Sequence, residues 1–218
     1  MNVQIKICGL TDPDHAAECF ELGADAIGLV FYPPSPRFVI DDLALEICQA
    51  LPKKAPKVGV FVNDTYEFIM NKAEKCGITM AQLHGHESQE LADRLEKAGI
   101  GVIKAFFANR SPDFKAMTEY SAKACLVECA GEKLPGGNAK AWAWRTARGI
   151  SERMPLALAG GLDPENVSQA ILDAMPDALD VSSGVEASPG VKDMDKVKRF
   201  IQNATQTGID YQPRKVFS

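Results

Sequence analysis

The stretch PLALAGGLDPENVSQAILDAMPDALDVSSGVE, residues 155–186, decides the fold. It opens with a short apolar run, PLALA (155–159), that ends at Gly160-Gly161. Asp163-Pro164-Glu165 then supplies an N-cap candidate followed by proline in the first helical turn, the signal of a helix start. A second β-rich run, ALDVS (178–182), leads into Ser183-Gly184. Strand, glycine loop, helix, strand, glycine loop is the repeat of a parallel α/β fold.

The same alternation extends back to the N-terminus. Candidate strands are VQIKIC (3–8), AIGLVF (26–31), KVGVFV (57–62), ITMAQL (78–83), GVIKAF (101–106) and ACLVEC (124–129). Most are continuous apolar runs, as expected of strands covered on both faces. Helices are expected to begin near Asp12, Asp41, Asp64, Glu87, Asp113, Trp142, Pro164 and Asp193, with cap signals at Thr11-Asp12-Pro13 and Asn63-Asp64. Eight strand-then-helix units point to a single (β/α)8 TIM barrel over residues 1–204. Periodicity alone leaves a doubly wound open sheet as the alternative. Residues 205–218 are polar and unpatterned, and are expected to form a frayed C-terminal tail.

Composition fits one soluble domain. The chain has 218 residues, 46% of them hydrophobic, near the lower size limit of an eight-fold barrel, and no Pro/Gly/Ser-rich linker divides it. A net charge of −5 gives no reason to expect nucleic acid or an anionic membrane as partner. No apolar run reaches the length of a membrane span. The start, MNVQIKICGL, already reads as a strand and leaves no room for a signal peptide. The six cysteines show neither CxxC pairs nor zinc-ligand spacing, so reduced thiols in the cytoplasm are expected, with no metal.

In a barrel of this kind, chemistry gathers where strands end and βα loops begin. Gly160-Gly161 and Ser182-Ser183-Gly184 fall at the last two junctions, where such barrels hold a phosphate on backbone N–H groups; the plainer reading is that these glycines only make tight turns. Cys8 ends the first strand. Lys6, two residues earlier, shares its strand face, and an ammonium there would lower the thiol pKa and make Cys8 a usable base; otherwise Cys8 is buried filler. A lysine facing the barrel interior needs a partner, and Asp180 on the closing strand is the expected one. Arg37, in the stiff Tyr-Pro-Pro-Ser-Pro-Arg loop, could clamp a carboxylate bidentately or be an ordinary surface arginine. His84, after Gln82-Leu83, could bond to substrate or satisfy a turn.

Taken in order, these motifs resemble phosphoribosylanthranilate isomerase. The likeness is carried by Lys6-Ile7-Cys8-Gly9-Leu10, Gly28-Leu29-Val30-Phe31, Ser35-Pro36-Arg37, Val58-Gly59-Val60-Phe61, Gln82-Leu83-His84-Gly85, Leu158-Ala159-Gly160-Gly161-Leu162, and Asp180 through Glu186 with Pro189-Gly190 and Lys192-Asp193. It runs from residue 3 to about residue 203. The resemblance implies the Amadori rearrangement of N-(5-phosphoribosyl)anthranilate in tryptophan biosynthesis, without cofactor. The sequence does not fix the oligomeric state, and either a monomer or a homodimer is expected. The resemblance also implies that Cys8 is the general base, that Arg37 holds the anthranilate carboxylate, and that the two glycine loops hold the phosphate. The family's general acid is an aspartate ending strand 6. Here Glu128 stands in its place, followed by Pro135-Gly136-Gly137-Asn138-Ala139 where the family has Gly-Gly-Thr/Ser-Gly. These departures keep two other readings open: a paralogue acting on a different phosphoribosyl amine or phosphosugar, and a phosphosugar-binding barrel without turnover.

Overall fold

A computed structural model describes residues 2–129 and 142–218. The strands are β1 Gln4–Cys8, β2 Ala26–Val30, β3 Lys57–Phe61, β4 Met80–Leu83, β5 Gly101–Phe107, β6 Ala124–Glu128, β7 Leu156–Leu158 and β8 Ala178–Val181. Each lies within two residues of its expected place. They are all parallel and close into a barrel in sequence order, β8 pairing with β1 so that Asp180 stands in register with Lys6. The open-sheet alternative is thereby removed.

Outside the barrel lie α1 Pro13–Glu21, α2 Asp41–Ala50, α3 Tyr66–Cys76, α4 Gln89–Lys97, α5 Arg148–Ser151, α6 Val167–Ala174 and α7 Met194–Gln206. Side-chain caps close several of them: Asp12, Thr65, Ser88 and Asp193 each accept an N–H from the first turn. A small hairpin, β9 Glu186–Ser188 and β10 Val191–Lys192, precedes α7. No helix among the described residues is long and apolar enough to cross a membrane.

Strand periodicity separates two cores. Residues such as Ile5, Ile7, Ile27, Leu29, Ala81 and Leu83 pack outward against the helices. Ala26, Val58, Met80, Ala105, Ala124, Leu126, Ala157 and Ala178 fill the barrel interior. Two expectations are corrected. Near Asp113 there is a 3-10 turn, Ala116–Glu119, in place of an α-helix. Asp113 does accept the Lys115 and Ala116 N–H groups. The chain then leaves in extended conformation at Tyr120 and sets that ring edge-on to Phe106, so packing overrides the helix signal.

The second correction concerns the C-terminal stretch, which is docked rather than frayed. Tyr211 Oη donates to the Pro176 carbonyl at 2.7 Å, and Arg214 pairs with Asp177 at 2.6 Å. Val216 and Phe217 are buried within the inner core. Gln4 Oε1 accepts both of their N–H groups, at 2.7 and 3.0 Å, while Gln4 Nε2 donates to the Phe217 carbonyl. The physical reason is the row of alanines at the strand starts. They leave space that two apolar side chains fill, at close-packed density.

Candidate active site

The C-terminal ends of the strands surround a solvent-open cavity. Cys8, Arg37, Gln82, His84, Glu128, Asp180 and the two glycine loops, Gly160-Gly161 and Ser182-Ser183-Gly184, all line it. Lys6 lies buried beneath. The residues singled out from sequence therefore converge, and Cys8 and Glu128 face a common space. Loop residues 135–139 lie outside the described residues.

Cys8 is placed by β1 and given room by Gly28 on β2. A Cβ at Gly28 would stand 2.7 Å from Cys8 Sγ and 2.9 Å from Lys6 Cε. The expected ion pair is present, with Lys6 Nζ 2.9 Å from Asp180 Oδ1. Burial alone would lower the Lys6 pKa, but Asp180, with a further contribution from Cys8, offsets this and holds it above its ordinary value. For Cys8 the balance runs against the sequence expectation. Burial pushes the thiol above its ordinary value, and the downward pull of Lys6 does not overcome it. The resting thiol keeps its proton.

Arg37 is buried, and its surroundings were not foreseen. Glu186 takes Nε at 2.8 Å and Nη2 at 2.7 Å. Lys192 Nζ binds the same carboxylate at 2.8 Å and reaches the Ser182 carbonyl at 3.2 Å. The side-on face of the guanidinium is thus occupied, leaving its Nη1/Nη2 end for a ligand. Burial raises the Glu186 carboxyl, but the cations Arg37 and Lys192 overcome this and hold it below its ordinary value. The sequence signal for the cluster was Glu186, Lys192 and Arg37 standing in charged motifs with no assigned partner.

At the far wall, His84 Nε2 is 3.1 Å from Glu128 Oε1 and Nδ1 is 3.0 Å from Gln82 Nε2. Phe107 meets the imidazole edge-on at 5.5 Å. The β4 loop that carries His84 is itself fixed by a second buried pair that sequence reasoning missed. Lys104 Nζ binds Glu87 at 2.9 Å and the Gly85 carbonyl at 2.6 Å. Glu87 in turn accepts the Gly85 and Asn63 N–H groups.

The loops after β7 and β8 approach closely. Gly160 and Gly161 have φ of +85° and +72°, a region that favours glycine. A Cβ at Gly184 would lie 1.9 Å from the Leu162 carbonyl oxygen, so only hydrogen fits between the loops. Ser182 Oγ donates to the Cys8 carbonyl at 2.9 Å, tying this wall to β1. Trp142 and Trp144 donate their indole N–H groups to the Ala159 and Gly160 carbonyls, at 3.0 and 3.2 Å. Trp144 is buried core.

A closed eight-stranded barrel with a thiol and a carboxyl facing one cavity at its C-terminal mouth defines an acid–base (β/α)8-barrel enzyme. The family model described as N-(5'phosphoribosyl)anthranilate (PRA) isomerase matches residues 5–203, and the chain belongs to that family. The N-(5'-phosphoribosyl)anthranilate isomerase of Desulfatibacillum aliphaticivorans is 98% identical over 218 residues, the whole of both chains. That of Trichlorobacter lovleyi is 39% identical, covering 94% of this chain and 98% of its own. Among solved structures, phosphoribosyl anthranilate isomerase from Thermotoga maritima superposes with a TM-score of 0.84 at 40% identity, covering 93% of this chain and 98% of that one. A phosphoribosyl anthranilate isomerase in complex with reduced 1-(o-carboxyphenylamino)-1-deoxyribulose 5-phosphate gives 0.81 at 39% identity, with the same coverage.

Proposed function

We propose that this chain isomerises N-(5-phosphoribosyl)anthranilate to 1-(2-carboxyphenylamino)-1-deoxyribulose 5-phosphate in tryptophan biosynthesis, with Glu128 as general acid and Cys8 as general base. The observation that carries the assignment of roles is that both side chains line one cavity, opposite the paired glycine loops. Glu128 protonates the furanose ring oxygen as the C1–O bond breaks, and the anthranilate nitrogen supplies electrons to form an open-chain iminium ion. The iminium acidifies the C2 proton; in the fraction of the enzyme whose Cys8 has released its proton to solvent, the thiolate removes that C2 proton to give an enaminol. Ketonisation places a proton on C1 and leaves a carbonyl at C2, so the overall change is an isomerisation with no net redox.

Arg37 binds the anthranilate carboxylate through the Nη1/Nη2 end of its guanidinium. Gly160-Gly161 and Ser182-Ser183-Gly184 present N–H groups to the phosphate. Lys6 and Asp180 support Cys8 from beneath. The longer stem of Glu128, relative to the family's aspartate, is accommodated by anchoring one carboxyl oxygen on His84. We place the reaction in the cytoplasm, since none of the six cysteines forms a disulfide. Either a monomer or a homodimer is compatible with a site built from one chain; a Thermotoga maritima relative is dimeric.

The test supplies purified protein with phosphoribosylanthranilate generated in situ and follows the loss of anthranilate-type fluorescence. Turnover that is abolished in both Cys8→Ala and Glu128→Gln supports the assignment. Full turnover in Glu128→Gln removes Glu128 as acid. Tight binding of a product analogue with no turnover in the unmodified protein rejects the isomerase reading.

A further inference from the structure

Five buried polar side chains form one hydrogen-bonded line beneath and beside the cavity: Asp180, Lys6, Gln82, His84 and Glu128. Lys6 Nζ is 2.9 Å from Asp180 Oδ1 and 2.9 Å from Gln82 Oε1. Gln82 Nε2 is 3.0 Å from His84 Nδ1, and His84 Nε2 is 3.1 Å from Glu128 Oε1.

The chemistry of these groups fixes the direction of every bond. An ammonium only donates, so the end of the Gln82 amide facing Lys6 must be its oxygen. The other end is then the NH2 group, which also only donates. His84 Nδ1 must accept from it and carries no hydrogen. The ring proton therefore sits on Nε2 and points at Glu128 Oε1. Donation runs one way from Lys6 to the carboxyl group. With Oε1 engaged as acceptor, the transferable proton of Glu128 is left to Oε2.

We infer that Gln82 is a positioning residue for the acid step: it sets the His84 tautomer, and His84 in turn holds Glu128 with its proton on Oε2, the oxygen not bonded to His84. His84 is thereby a fixed donor to Glu128, not a proton source for the reaction. The inference rests on the assignment of Glu128 as acid, yet its structural half is measurable without turnover.

The experiment is a long-range 1H–15N correlation spectrum of the protein labelled in its histidine rings. There are three histidines, His15, His84 and His86, and the His84 signals are those missing in His84→Gln. The unmodified protein is expected to show His84 as the Nε2–H tautomer at neutral pH. Gln82→Glu places a carboxylate oxygen against Nδ1 and is expected to move a proton onto that nitrogen. In the fluorescence assay it lowers kcat by up to about a hundredfold, what a misplacement of about 1 Å at a reacting group can cost, with KM within about twofold. His84→Gln can accept from Gln82 and donate to Glu128 through its own amide, so it keeps more kcat than His84→Leu, the difference staying within the roughly hundredfold cost of misplacing a reacting group.

An Nδ1–H tautomer or a doubly protonated ring in the unmodified protein overturns the proposal, whether or not any variant folds. So does an unmoved proton in Gln82→Glu. If the unmodified protein shows the Nε2–H tautomer but never isomerises phosphoribosylanthranilate, the relay stands and the functional reading fails.

Discussion

Glu186 grips Arg37 side-on, with its two carboxylate oxygens 2.8 and 2.7 Å from Nε and Nη2. The grip turns a long, flexible side chain into a preset one, because a bidentate pair fixes the guanidinium plane as well as its position. Glu186→Gln keeps one acceptor but sets an NH2 group against Nη2. On the proposed binding mode, Arg37 touches a carboxylate remote from the reacting carbons, so its contribution is uniform binding. KM is expected to rise about tenfold, equivalent to about 1.4 kcal/mol, with kcat nearly unchanged. Steady-state kinetics by fluorescence decide it, and an equal fall in kcat at constant KM contradicts the uniform-binding role.

Gly28 has no side chain because Cys8 and Lys6 occupy that space. A methyl group there would stand 2.7 Å from Cys8 Sγ, on a paired strand that cannot swing away. Gly28→Ala is expected to displace the thiol. A shift of about 1 Å at a reacting group can lower the rate by about a hundredfold, and overpacking costs about 1–3 kcal/mol of stability. Thermal unfolding and kcat, measured together, separate the two effects. A folded Gly28→Ala with full activity shows that Cys8 needs no such placement.

Much of the molecule is legible in the sequence alone. The eight strands stand out because parallel strands covered on both faces are apolar throughout, and the cavity residues because polar or glycine positions recur where those runs end. Lys6 and Asp180 can be paired from barrel closure alone. What stays hidden depends on through-space partners far apart in sequence. Nothing near Arg37 says that Glu186 holds it, and nothing near Lys104 says that Glu87 folds back onto it. The helix expected near Asp113 fails for the same kind of reason, since Tyr120 leaves the turn to pack on Phe106.

Burial and Lys6 pull the Cys8 thiol in opposite directions, and burial prevails. A thiol whose pKa lies above its ordinary value of 9.0 holds its proton through neutral pH and gives up more of it as pH rises past that value. Because the thiolate is the nucleophile, alkylation by iodoacetamide should report this directly. Cys8 is expected to react more slowly than partly exposed Cys129 at mildly alkaline pH, and its rate should still be climbing above pH 9.0. Peptide mass spectrometry of timed samples measures both sites. A Cys8 rate that levels off well below that pH indicates that Lys6 has prevailed instead.

Phe217 and the proposed acid and base lie at opposite ends of one barrel, which allows stability and activity to be separated. Phe217 and Val216 pack with Ala26, Met80, Ala124 and Ala178, the first residues of their strands, whereas Cys8 and Glu128 end theirs. The clamp is specific: Gln4 meets the backbone of both tail residues, and Arg214 ties the tail to Asp177. Removing a buried phenyl ring typically costs about 3–5 kcal/mol, part of it for the cavity left behind. Phe217→Ala is therefore expected to lower the melting temperature by many degrees while leaving kcat and KM at low temperature close to the original. Gln4→Ala should fall in the same direction by less, since it removes hydrogen bonds and not core volume. Calorimetry and the fluorescence assay on the same samples test the separation. If Phe217→Ala melts like the unmodified protein, the tail is not part of the core; if it melts lower and loses kcat equally at low temperature, the floor of the barrel is coupled to its mouth.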